Sequence, residues 1–168
     1  KFGQHFIDLL PFIGNIRSDT IEYRERLLEM ATIVIQRNPI FGSTNYMETP
    51  EMRSMMQGEG IIDIVNTYIQ ITLAYGYVGL FTFVSIFIVL LWHIYKSIKQ
   101  LSKGEKDLIR LGRSLFSILS AVALIIYTVS SVNYIPYYYW MLFGLATSYI
   151  YICKQTLLQD VTLPHGMT

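Results

Sequence analysis

Tyr77-Val-Gly-Leu-Phe-Thr-Phe-Val-Ser-Ile-Phe-Ile-Val-Leu-Leu-Trp-His-Ile-Tyr95 contains no Asp, Glu, Lys or Arg. A helix crosses a bilayer with about 20 predominantly apolar residues, so this stretch predicts a membrane span. Leading into it is Gly58-Glu-Gly-Ile-Ile-Asp-Ile-Val-Asn-Thr-Tyr-Ile-Gln70. Read as a helix, Glu59, Asp63, Asn66 and Gln70 fall at i, i+4, i+7 and i+11, a polar stripe on one face. Polar groups at the head of a span are costly unless they serve a cavity or a partner, which makes the stripe a candidate site.

The composition fits a membrane protein. The chain is 52% hydrophobic and only 15% charged, where soluble domains carry about 25% charged residues. The net charge of +1 and the scatter of basic residues exclude a nucleic-acid surface. Cys153 is the only cysteine, so an intrachain disulfide and a zinc cluster are excluded. His5, His93 and His165 have no metal-ligand spacing.

These patterns predict an all-α fold: a polytopic membrane protein fragment with an extracytoplasmic helical domain, residues 1–73, followed by three transmembrane helices at 74–95, 114–132 and 138–153. The loop 96–113 has six basic side chains against two acidic ones, which places it in the cytoplasm by the positive-inside rule. Alternation then puts 1–73 and the short turn 133–137 outside and the tail 154–168 inside. Tyr134, Tyr137, Tyr138, Tyr139 and Trp140 gather at that turn as an interfacial aromatic anchor. The chain opens at Lys1 on a segment placed outside, with no signal peptide, so it is expected to be the C-terminal part of a longer protein.

Within 1–73, Ser18-Asp-Thr-Ile-Glu22 reads as a helix start with Asp19 as the cap, and Asn38-Pro39 as its end. Ile21, Leu27, Leu28, Ala31, Val34 and Ile35 form its apolar side, with Arg24 in the middle. An arginine on a packing face calls for an anionic partner, or else a stem laid along apolar surface with its head in water. Residues 39–58 read as a loop, with Met52, Met55 and Met56 as adaptable packing under it and Arg53 solvated but able to reach a phosphate.

Arg24, then Pro39-Ile-Phe-Gly42, then Val65-Asn-Thr-Tyr-Ile-Gln70 and Tyr75-Gly-Tyr-Val-Gly-Leu80 together resemble the C-terminal half of the O-antigen ligase and polymerase family. That family's pattern is an arginine opening a periplasmic helix, a Pro-x-x-Gly turn, a His-Asn-x-Tyr-Leu segment and a Gly-x-x-Gly-Leu entry into a membrane helix. The likeness covers about residues 20–95. Val65 stands where many members, ligases especially, carry histidine, and Leu28 stands where tryptophan is common.

The resemblance implies a multi-pass glycosyltransferase of the bacterial inner membrane, acting at its periplasmic face without metal or other cofactor. Its donor would be a glycan on undecaprenyl diphosphate and its acceptor a second glycan or a lipid, with other polysaccharide-assembly membrane proteins as possible partners. Departure of a lipid diphosphate builds negative charge that a cation would stabilise. Arginine pairs with phosphate bidentately, so Arg24 is the candidate for that role. In place of the family histidine, Asp63 or Glu59 would accept the acceptor's proton. Asn66, Gln70 and Arg53 complete the set as substrate-binding candidates. The structural alternative is that the two carboxylates favour a helix N-terminus while Asn66 and Gln70 bond neighbouring helices. The missing histidine favours a polymerase over a ligase; a non-enzymatic transport or assembly subunit is the alternative class.

Overall fold

The computed structural model describes residues 16–57, 60–101, 104–128 and 134–162, with the backbone alone for 16–20 and 160–162. Among the described residues five α-helices follow in order: α1 Ile16–Arg37, α2 Pro50–Arg53, α3 Thr67–Gln100, α4 Lys106–Ile125 and α5 Ile135–Thr162, with a 3-10 turn at Tyr46–Glu48 before α2. The described residues contain no strand, so the all-α expectation holds. They divide into two compact units, residues 1–80 and 81–168.

In the N-terminal unit α1 begins at Ile16, a turn before the expected start, which puts Asp19 inside the helix instead of at its cap. It ends at Arg37, where Asn38-Pro39 was expected to stop it. Leu27, Ala31 and Val34 of α1 are buried with Tyr46, Met52, Met55, Ile64 and Leu73, so two of the three loop methionines pack and Met56 stays exposed. Arg37 and Glu51 form a two-pronged ion pair that clamps the end of α1 to α2. Thr49 caps α2 by accepting from the Met52 amide.

The segment leading into α3 departs from the helical reading. Residues 61–66 are not helical, and α3 starts only at Thr67. Ile61, Ile62, Ile64 and Val65 are β-branched and pay rotamer entropy in a helix. Extended chain lets Ile64 enter the core instead. Asp63 and Asn66 therefore do not share a helix face, and Glu59 lies outside the described residues.

α3 is broken at Gly76, whose φ of 66° and ψ of −167° are non-helical. The Pro39–Gly42 turn lies flush against this break. The Tyr77 amide donates to the Pro39 carbonyl at 2.8 Å and the Val78 amide to the Ile40 carbonyl at 3.2 Å, while the Ser43 amide donates to the Leu73 carbonyl at 2.9 Å. Gly42, with φ 67°, is equally constrained: a Cβ there would stand 2.5 Å from the Gly76 nitrogen and 2.6 Å from the Ala74 carbonyl carbon. A Cβ on Gly76 would overlap the Ile40 carbonyl. Each glycine leaves the space the other's backbone fills.

In the C-terminal unit three helical stripes face inward: Phe83, Phe87, Leu90 and Ile94 on α3; Leu115 and Leu119 on α4; Tyr139, Phe143, Ala146, Tyr149 and Cys153 on α5. Phe83 meets Phe87 and Tyr139 edge-to-face at 5.4 Å, and Phe87 meets Phe143 at 4.8 Å. Gly112 opens α4 for the Tyr149 ring, since a Cβ there would stand 2.6 Å from Cζ of that ring.

Two of the described helices, Thr67–Gln100 and Lys106–Ile125, are long and apolar enough to cross a membrane. Only 22% and 17% of their most apolar stretches are buried, whereas the core helix of a soluble protein is mostly buried. α5 is not among these two; Thr147, Ser148 and a run of tyrosines dilute its apolar character. Within the expected basic loop 96–113, residues 96–100 and 106–113 are helical.

Candidate functional site

The candidate residues separate into three groups. α1 presents Tyr23, Leu27, Met30, Ala31 and Val34 to the core of its unit. At 100° per residue this arc is turned about 70° from the side centred on Arg24. Arg24 is consequently exposed, with Leu28 and Ile21 on the same open flank. The expectation that Arg24 faces a packing surface is thus corrected, because Tyr23 and Met30 supply the apolar contact that Ile21 and Leu28 were expected to make. Arg24 forms no ion pair with another described residue.

One turn of α1 is nonetheless tied to the candidate carboxylate segment. The hydroxyl of Tyr23, next to Arg24, donates to the backbone carbonyl of Asp63 at 3.0 Å. Asp63 is half-buried there. The bond joins stretches 40 residues apart in sequence, so the turn bearing Arg24 and the segment bearing Asp63 meet at one edge of the unit.

Asn66 has a different task from the one the stripe suggested. Its Oδ1 accepts from the amides of Tyr68 at 2.9 Å and Ile69 at 3.2 Å, and its carbonyl accepts from the Gln70 amide at 3.1 Å. This is an N-cap, satisfying amides that the first helical turn leaves without partners. Gln70 points to the core, where its side chain hydrogen-bonds the Tyr46 hydroxyl. Burial pushes the Tyr46 phenol above its ordinary range, and the Gln70 bond offsets part of that shift. Arg53 is exposed on α2, the element clamped to Arg37. Arg37 lies about 20 Å along the α1 axis from Arg24, so Arg53 belongs to the other end of the unit.

The residues missed by sequence reasoning are Tyr23, which joins the two candidate stretches, and Tyr46, which receives Gln70. Their signal was weak, since a tyrosine beside an arginine and another in a loop have no distinctive spacing. The Pro39-x-x-Gly42 and Gly76-x-x-Gly79 motifs are different: the resemblance singled them out, and they are physically interlocked. Comparisons with protein-family profiles, curated proteins and solved structures give no match to this chain.

Proposed function

We propose that the chain is the C-terminal part of a multi-pass glycosyltransferase of the bacterial inner membrane, similar to the O-antigen polymerases. Residues 1–73 would face the periplasm, and α5 would supply a third span. The observation that carries this reading is the Tyr23–Asp63 hydrogen bond, which brings the turn of an exposed arginine, without an ion pair among the described residues, to the segment of a carboxylate. A donor diphosphate bound at Arg24 would gain charge as the bond from its phosphate oxygen to the anomeric carbon breaks. The acceptor hydroxyl forms the new glycosidic bond and passes its proton to Asp63 or Glu59, while the lipid diphosphate leaves with the electron pair.

Exposure of Arg24 supports this role better than a buried position would, since a charge already paired inside the fold has no free donors for a phosphate. The test is the full-length parent carrying Arg24→Ala or Arg24→Lys, with cell-surface polysaccharide resolved as a ladder at matched protein level. A lost or shortened ladder in both variants is expected, because lysine lacks the planar fork. A normal ladder with Arg24→Ala would refute the assignment. The exposed Ile21 and Leu28 beside Arg24 favour a second reading, a non-catalytic assembly subunit that docks through this flank. That reading predicts loss of function from Leu28→Asp and none from Arg24→Ala.

A further inference from the structure

The turn at Pro39–Gly42 is held at a particular depth. Its carbonyls accept from Tyr77 and Val78, the first residues of the uninterrupted helical run that reaches Gln100. That run is about 36 Å long at 1.5 Å per residue, somewhat more than the roughly 30 Å hydrocarbon core. In a span of that length, a first turn lined by tyrosines would lie where acyl chains meet headgroups. Tyr75 and Tyr77 are exposed at this level, as amphipathic rings are at an interface.

The same turn presents Ile40 and Phe41, 59% and 75% exposed. The backbone that carries them is fixed by the lock between Gly42 and Gly76. Backbone entering a membrane must have its polar groups satisfied within the protein, and this turn meets much of that demand. Pro39 has no amide hydrogen, the Pro39 and Ile40 carbonyls are bonded to the helix, and the Gly42 amide donates to the Asn38 carbonyl at 2.9 Å.

We infer that Ile40 and Phe41 form a wedge immersed in the leaflet at which the first span begins, so that the N-terminal unit rests on the bilayer through this turn. The occupant of the exposed apolar surface is lipid, because the turn is bonded to Tyr77 and Val78, the exposed residues that open the apolar run of α3. The inference rests on the reading of α3 as a span.

The test uses the chain reconstituted in phospholipid vesicles, with an environment-sensitive fluorophore on a cysteine placed by Phe41→Cys, Arg53→Cys or Val89→Cys. Native Cys153 is wholly buried and stays in place, with the parent protein checked for background labelling. Phe41 and Arg53 are exposed, so these exchanges leave the core intact. The expected result at position 41 is a blue shift, quenching by spin labels near the headgroup end of the acyl chains, and loss of the aqueous iodide quenching seen at position 53. Iodide quenching at 41 equal to that at 53, with lipid quenching at 89, would overturn the wedge while leaving the span. A blue shift at 41 without lipid quenching would overturn it in favour of a protein contact. Absence of lipid quenching at 89 would overturn the span and the wedge together.

Discussion

Replacing Gly42 by alanine tests the backbone lock. Two costs add. At φ 67° a Cβ incurs the left-handed penalty of about 1–2 kcal/mol. The new methyl would also stand 2.5–2.6 Å from backbone atoms of Ala74, Tyr75 and Gly76, and relieving such an overlap costs about 1–3 kcal/mol. The sum is about 2–5 kcal/mol, a large part of the roughly 5–15 kcal/mol that stabilises a typical domain. Gly60→Ala provides the control, because Gly60 also has positive φ, 74°, but has nothing within 4 Å of its would-be Cβ. It should show the first cost alone. Amide hydrogen exchange at Ser43, Tyr77 and Val78, whose N–H groups form the lock, reads the difference directly. Protection there should fall about 5–150-fold more in Gly42→Ala than in Gly60→Ala, at 1.4 kcal/mol per tenfold. Equal losses in the two variants would refute the argument that close backbone approach, beyond backbone conformation, requires glycine at 42.

Other outcomes follow from single contacts. Asn66→Ala should lower stability by about 1 kcal/mol through loss of the cap, with Asn66→Asp retaining most of it; a denaturant midpoint unchanged in the alanine variant would contradict the capping role. Glu51 is held below the ordinary glutamate value of 4.5 by hydrogen bonding to its own backbone amide and then by Arg37. A depressed folded-state value means stability present above pH 4.5 and lost as pH falls through the lowered value. The acid-unfolding curve of Glu51→Gln should therefore be shallower below pH 4.5 than that of the parent, and parallel curves would exclude the linkage. Among the described residues the buried Tyr149 hydroxyl has only the weakly accepting Cys153 sulfur as a partner, so Tyr149→Phe should change the melting temperature little. Gly112→Ala should destabilise by about 1–3 kcal/mol against that ring, and adding Tyr149→Leu should recover part of the loss; additive losses in the double variant would rule out the contact.

The long helices were legible because apolar residues recur at the helical period through α3 and α4, and because Asn38-Pro39 punctuates α1 so clearly. The polar stripe misled for an equally physical reason. Helical spacing of Glu59, Asp63, Asn66 and Gln70 says where side chains would fall on a helix, not that a helix exists there. The isoleucines and valine between them, together with an asparagine able to cap, argued for extended chain up to residue 66. The face of α1 was misjudged by about 70° because Leu28 and Ile21 counted as core on hydrophobicity alone, while Tyr23 and Met30 did not. Only the tertiary neighbours, Ile64 and Met52 among them, decide which arc is covered. The resemblance placed Pro39, Gly42 and Gly76 in one ordered set, but nothing in their spacing revealed that the two glycines face each other's backbone.

Contact between Pro39 and Tyr77 also sets an order of events during synthesis. The turn is made 38 residues before its partner, taking the spacing from Pro39 to Tyr77. At about 5–20 residues per second, it waits roughly 2–8 s with its carbonyls open and Ile40 and Phe41 uncovered. Only when α3 emerges does the left-handed glycine meet the broken helix and the loop close. A nascent chain paused between these two points holds α1 and a turn whose backbone partner has yet to be made, so the time spent translating residues 43–77 sets how long that turn stays open.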